Sequence, residues 1–216
     1  PQSVYSDHYL GTLDGPVGFK LEVPPIHPVL MSTTLPGLGA SHAAMADRMP
    51  QTQVIIALLR DGFHPESEGG SVEVGSDGFP VLDYPITSYL WEGARRALHA
   101  MAEIQFAAGA QTVFPLHESA QPYRSLQEAR TAIDALPMEI LRTRVVSAHV
   151  MGGCAMSGDP NAGVVDQTGR HNELQNLYVF DGSIFPTSLG ANPQLSIYGI
   201  VARNASRLAD LVNAGC

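Results

Sequence analysis

The chain has 216 residues, 44% of them apolar, with 21 glycines, 16 prolines and a formal net charge of −9 at pH 7. At that length roughly 70% of the unfolded surface can be buried, so a real core is expected. The 12 Lys and Arg are scattered rather than gathered into a basic stripe, which argues against nucleic acid, and no apolar run approaches the roughly 20 residues needed to span a bilayer. Of the two cysteines, Cys154 lies inside a glycine-rich motif and Cys216 is the final residue, so neither a disulfide framework nor a zinc site is expected. The chain opens on Pro1-Gln2-Ser3 with no methionine and no signal-peptide pattern. It reads as a processed or truncated piece, with a cytoplasmic location as the expectation.

Residues 1–50 read as an irregular opening with one strand, Phe19 to Val23, followed by Pro24-Pro25-Ile26-His27-Pro28. Met31 to Met49 is rich in Gly, Ser, Ala and Met and is expected to hold a loop and a short helix. Val54 to Leu59 is a continuous apolar run, as in a buried strand. Ser71-Val72-Glu73-Val74 alternates, Asp77-Gly78 signals a turn, and Pro80 to Tyr84 is the return strand of a hairpin. A long helix follows, capped by Thr87 or Ser88, with Leu90, Ala94, Ala97, Met101 and Ile104 at helical spacing and Gly109 ending it.

Gln111 to Leu116 reads as a strand. Leu126 to Leu136 reads as a helix with Ser125 as N-cap and Glu128 completing a capping box. Val145 to Val150 and Leu177 to Phe180 are predicted short strands. A last helix is predicted from Pro193, with Asn192 as its N-cap and one apolar face of Ile197, Ile200, Val201, Ala205, Leu208 and Leu211. The fold class is α+β, an antiparallel sheet with packed helices. The boundary falls between residues 1–140 and residues 141–216.

Eight histidines are present. His8, His27, His42 and His64 sit in polar or proline-rich stretches and read as surface residues, as does His171 in a polar turn. His99 reads as structural within the long helix, and His117 as a weak candidate for a pocket wall. His149 follows a β-branched pair and precedes Met151-Gly152-Gly153, so its ring projects from a strand end with backbone packed closely behind. Two readings stand side by side for it: a hydrogen-bonded core histidine, or a catalytic one. Asn192 likewise reads as an ordinary N-cap or as a polar group at a helix tip, whose partial positive charge would stabilise an anion. Asp181-Gly182-Ser183 is either a plain turn or a place where backbone N–H meets phosphate or sugar.

Taken in order, these pieces resemble the C-terminal signature of the glucose–methanol–choline (GMC) family of flavin oxidoreductases. The matching elements are His149-x-x-Gly152, Met156, Gly163-Val164-Val165-Asp166 and Asn176-Leu177-Tyr178-Val179-Phe180-Asp181-Gly182-Ser183. They continue through Phe185-Pro186-Thr187, Asn192-Pro193 and the amphipathic terminal helix. The dense match covers about residues 145–212, and the hairpin and long helix upstream fit only loosely. The Ser-Ala-His-x-Met-Gly variant, with asparagine at the second position, is most similar to the long-chain alcohol and sterol or choline branches.

The resemblance implies FAD as cofactor and oxidation of an alcohol substrate by hydride transfer to the flavin. It implies that His149 takes or shares the substrate hydroxyl proton and that Asn192 holds the same oxygen. It implies cofactor contacts from Asp181, Gly182, Ser183, Asn192, Pro193 and Gln194, and no metal. One element of the family is missing: no Gly-x-Gly-x-x-Gly sits at a strand–helix turn. The chain therefore resembles the substrate-binding part, plus a returning segment that would complete an FAD-binding domain. It is expected to need an N-terminal FAD-binding half or subunit as partner. The alternative is a catalytically inactive binding or interaction module from the same family; a Ser/His/Asp hydrolase lacks a Gly-x-Ser-x-Gly elbow.

Overall fold

A computed structural model describes residues 5–215. The chain divides into two compact units, residues 5–60 with 86–146 and residues 61–85 with 147–215. Both are mixed α+β with small antiparallel sheets.

The first unit is built on a three-stranded antiparallel sheet of β1 (Tyr5–Ser6), β2 (Phe19–Glu22) and β3 (Ile56–Leu59), in that order. Phe19 pairs with Leu59 and Leu21 with Ala57, so the alternation of β2 sends Phe19 and Leu21 to one face. That face meets the long helix α3 (Ser88–Ala107) at Ala97 and Ala100, with Leu59, Met101 and Ile104 closing the cluster. The expected cap is present: the Thr87 hydroxyl accepts from the Leu90 N–H. A Cβ built on Gly93 would lie 1.9 Å from Val17 Cγ1, so only glycine lets α3 approach the segment leading into β2.

The other side of α3 packs on α4 (Leu126–Ala135) through Ala102, Ala129 and Ile133. The capping box forms in a shifted version: Ser125 Oγ accepts from the Glu128 N–H at 3.2 Å, while Glu128 Oε2 reaches back to the N–H of Arg124 rather than Ser125. At the far end of α4 the Arg95 guanidinium donates to the carbonyls of Ile133, Asp134 and Leu136. It thereby satisfies acceptors that a helix end leaves without partners. His117 is not a pocket wall. It is 1% exposed, with Nε2 donating to the Pro137 carbonyl at 2.8 Å and Nδ1 accepting from the Ser119 N–H at 3.0 Å.

Met31 to Met49 forms two short helices rather than one, α1 (Pro28–Thr34) and α2 (Ala40–Ala46). The predicted strand over Gln111 to Leu116 reduces to one bridge, Val113 to Tyr123. The predicted strands over Val145 to Val150 and Leu177 to Phe180 are irregular apart from the Arg170–Tyr178 bridge. The reason is the same in each: β-branched residues are present, but among the described residues no neighbouring segment pairs with these stretches beyond a single bridge. Among the described residues no helix is long and apolar enough to cross a membrane.

Candidate active site

The second unit contains the predicted hairpin, β4 (Ser71–Val74) paired with β5 (Pro80–Asp83), and the terminal helix α5 (Gln194–Asn213). Between these it is turns and single bridges: Met156 with Val165, Val165 with His171, and Arg170 with Tyr178. Val165, Ile184 and Phe185 form its buried centre, with Met151, Met156 and Ile197 packed around them.

Two stretches far apart in sequence run side by side here. The Cys154 N–H donates to the Ser183 carbonyl at 2.9 Å, and the Met156 N–H to the Ile184 carbonyl at 2.8 Å. A Cβ built on Gly182 would stand 3.2 Å from the Val150 carbonyl oxygen and 3.1 Å from Ile197 Cδ1. The absence of a side chain at Gly182 therefore lets the residue after His149 and the first turn of α5 close on one point. His149 itself is half-buried, on an irregular segment rather than a strand end.

Asp181 behaves as the plain-turn reading requires. Its Oδ1 accepts from the Ser183 N–H at 2.8 Å and from the Ser183 hydroxyl, capping the short 3₁₀ turn Gly182–Ile184. Asp181 is exposed, Gly182 buried and Ser183 half-buried. Helix α5 starts one residue later than expected. Pro193 is the cap, already in a helical conformation at φ −89° and ψ −6°, and its carbonyl accepts from the Ile197 N–H at 2.9 Å. The N-cap is therefore Pro193, which makes no side-chain cap bond, and Asn192 stands one position upstream of it. Asn192 and Gln194 are exposed and Pro193 is buried. The Gln194 amide donates to the Tyr198 hydroxyl at 2.8 Å, one helical turn on.

The Gly163-Val164-Val165-Asp166 stretch is architectural. Burial of the Asp166 carboxyl pushes its pKa up, but hydrogen bonds from the Thr168 hydroxyl and the N–H groups of Thr168 and Arg170, with the Arg170 charge, outweigh that. The net effect holds Asp166 below its ordinary range. Two contacts escape sequence reading altogether. Thr187 Oγ1 donates to the Gly62 carbonyl at 2.6 Å, fastening the hairpin's leading segment to the Phe185-Pro186-Thr187 turn. The Tyr84 hydroxyl donates to the Asp61 carboxylate at the hairpin's root; burial first, then the bond to Asp61 and its charge, push the phenol pKa up.

A family profile for the GMC oxidoreductase C-terminal domain matches residues 65–200. The chain belongs to the GMC oxidoreductase family. Its relatives include a long-chain-alcohol oxidase of Arabidopsis thaliana, 27% identical over 83% of this chain and 25% of that protein. A GMC-type oxidoreductase of Mycobacterium tuberculosis is 31% identical over 83% of this chain and 27% of its own length. A cholesterol oxidase of Acinetobacter baumannii is 46% identical over 32% of this chain and 12% of its own length. The GMC chain thus spans about a quarter of the first two relatives. The family match reaches well upstream of residue 145, taking in the β4–β5 hairpin, α3 and α4.

Proposed function

We propose that this chain is the substrate-binding and catalytic C-terminal portion of an FAD-dependent oxidoreductase acting on the CH–OH group of an alcohol. The observation that carries the reading is the convergence at Gly182, where the segment bearing His149 and the first turn of α5 close on one buried residue. Residues 1–140 then serve substrate binding, and residues 141–216 supply the reacting groups and the part that completes an FAD-binding domain.

The residues present fit an anionic dinucleotide cofactor. The 20-residue helix α5 brings the N–H groups and partial positive charge of its first turn to the Asn192-Pro193 end. Pro193 and Gln194 would border the flavin there, with negative charge at its pyrimidine edge favoured by the helix tip. Gly182, Ser183 and the remaining oxygen of Asp181, Oδ2, would hold the ribityl–pyrophosphate region. Bound FAD supplies the hydride acceptor. The chain's own contribution is proton handling and orientation. The His149 imidazole accepts the hydroxyl proton of the substrate on a ring nitrogen lone pair. The Asn192 amide donates to the same oxygen, holding it without adding charge.

The names of the relatives, long-chain-alcohol oxidase and cholesterol oxidase, favour an apolar alcohol as substrate. A dinucleotide-binding partner, as a preceding segment or a separate chain, completes the enzyme. The test is co-expression with a GMC dinucleotide-binding portion, followed by flavin absorbance and its bleaching by a long-chain primary alcohol without oxygen. Alcohol-dependent bleaching that His149→Ala abolishes is the expected result. A flavin-loaded complex that no alcohol bleaches, or that bleaches equally with His149→Ala, would refute the assignment.

A further inference from the structure

The run from Ile184 to Gly190 leads from the buried centre of the second unit towards Asn192. Ile184 and Phe185 are buried, and Leu189 packs against the same cluster. Buried Gly190 then turns at φ +64°, its N–H donating to the Ser188 hydroxyl at 3.0 Å. Between these fixed points the run comes to the surface: Pro186 is exposed, and Thr187 and Ser188 are half-buried. There the Thr187 hydroxyl donates to the Gly62 carbonyl at 2.6 Å.

Gly62 is itself a fixed acceptor. Its N–H donates to the Ser67 carbonyl at 2.8 Å and to the Ser67 hydroxyl at 3.0 Å, and Ser67 is buried. With the Thr187 hydroxyl on its carbonyl, both backbone polar groups of Gly62 are engaged. Gly62 also sits at φ +79°, and a Cβ there would stand 2.4 Å from Thr187 Oγ1. A side chain at this position would therefore push away the hydroxyl that the carbonyl holds. Thr187 is β-branched and stiff about χ1, so fixing its oxygen also fixes its backbone. Beyond the run, Pro193 is buried and its carbonyl accepts from the Ile197 N–H at 2.9 Å. Exposed Asn192 thus stands between two anchors, Thr187 five residues before it and Pro193 one residue after.

We propose that Thr187 is a positioning residue for the reaction, holding through Gly62 the run that aims the Asn192 amide at the substrate oxygen. This rests on the role proposed above for Asn192. An amide that holds a reacting oxygen is useful only in register, and a displacement of about 1 Å can cost about a hundredfold in rate. Thr187 acts through the backbone of residues 188–191. The loop from Asp61 to Ser67, which leads into β4, becomes part of the frame of the site.

The experiment has two arms. Hydrogen exchange on the full 216-residue chain reads the anchor without flavin. Thr187→Val, which removes the donor at nearly the same shape, should speed exchange about tenfold or more across residues 188–192 and leave α3 unchanged. Thr187→Ser, which keeps the donor, should restore slow exchange. In the flavin-loaded complex, Thr187→Val should lower the limiting rate of alcohol-dependent bleaching about ten- to a hundredfold, with little change in the half-saturating alcohol concentration. Thr187→Ser should recover most of that rate. In an Asn192→Ala background Thr187→Val should cost almost nothing further, because the group it positions is gone.

The proposal is overturned by parental exchange in Thr187→Val, by an undiminished limiting rate, or by a loss that is just as large in the Asn192→Ala background. A parental complex that no alcohol bleaches, with exchange still quickened by Thr187→Val, overturns the function proposed above rather than the anchor.

Discussion

The two units of this chain achieve order by different means. In the first, periodic apolar faces do the work: α3 buries one stripe on β2 and another on α4, and side chains such as Arg95 tidy the helix ends. In the second, the buried centre is small, and position is set by backbone bonds between turns, as where Cys154 and Met156 pair with Ser183 and Ile184. Packing yields stability that tolerates small changes of shape. A lattice of turn bonds yields placement of particular atoms with little surplus stability. The groups proposed for chemistry all lie in the second unit.

The comparison breaks most visibly at His149. In a flavin-loaded complex, His149→Ala should lower turnover by about 10²- to 10⁴-fold while the urea midpoint barely moves, since the ring is half-buried on an irregular segment. A large loss of stability would show the histidine to be structural instead. Next in size is Gly93→Ala, which drives a Cβ into Val17 and should cost about 1–3 kcal/mol in urea unfolding. Trimming the obstacle with Val17→Ala in the same chain should recover part of that loss; no recovery would mean that the close approach is not what Gly93 provides.

Arg95→Ala should be comparable or smaller, about 1–3 kcal/mol, because the part-buried carbonyls of Ile133 and Leu136 at the end of α4 lose their donor. Arg95→Lys should recover only part of it, one ammonium being unable to span the carbonyls of Asp134 and Leu136 at once. Equal stability of all three proteins would remove the clamp from the account. The smallest effect belongs to Asp166. Its folded-state pKa lies below the unfolded value of about 3.9, so its stabilisation is complete at neutral pH and fades as pH falls through the depressed pKa. Asp166→Asn should therefore flatten the acid limb of the stability profile below about pH 4. An unchanged limb would contradict the role given to Thr168 and Arg170.

What was legible in the sequence follows the same division. The caps at Thr87 and Ser125, the Asp77-Gly78 hairpin and the stripe of α3 were readable because each is local chemistry at a fixed spacing. The family was legible because its short motifs recur in order along residues 145–212. The strands predicted over Val145 to Val150 and Leu177 to Phe180 failed because propensity cannot say whether a neighbouring strand exists. Asn192 was misplaced by a single position, which is within the ordinary ambiguity of a helix end. Gly182 read as part of a turn; that its missing side chain lets two distant segments meet depends on Val150 and Ile197, neither of which announces it.

The bond from Thr187 to the Gly62 carbonyl joins residues 125 positions apart, so the second unit is discontinuous and encloses the whole of α3 and α4 in its loop. During synthesis the β4–β5 hairpin, complete at Asp83, emerges roughly 5 to 21 s before its anchor Thr187 does. Two strands alone are marginal in water, and both faces of this pair are exposed. The first unit can therefore assemble while the chain is still being made, whereas the hairpin must wait for the carboxyl-terminal turns before it is held. A ribosome stalled short of residue 187 would release a protein with a sound first half and a loose, aggregation-prone ribbon.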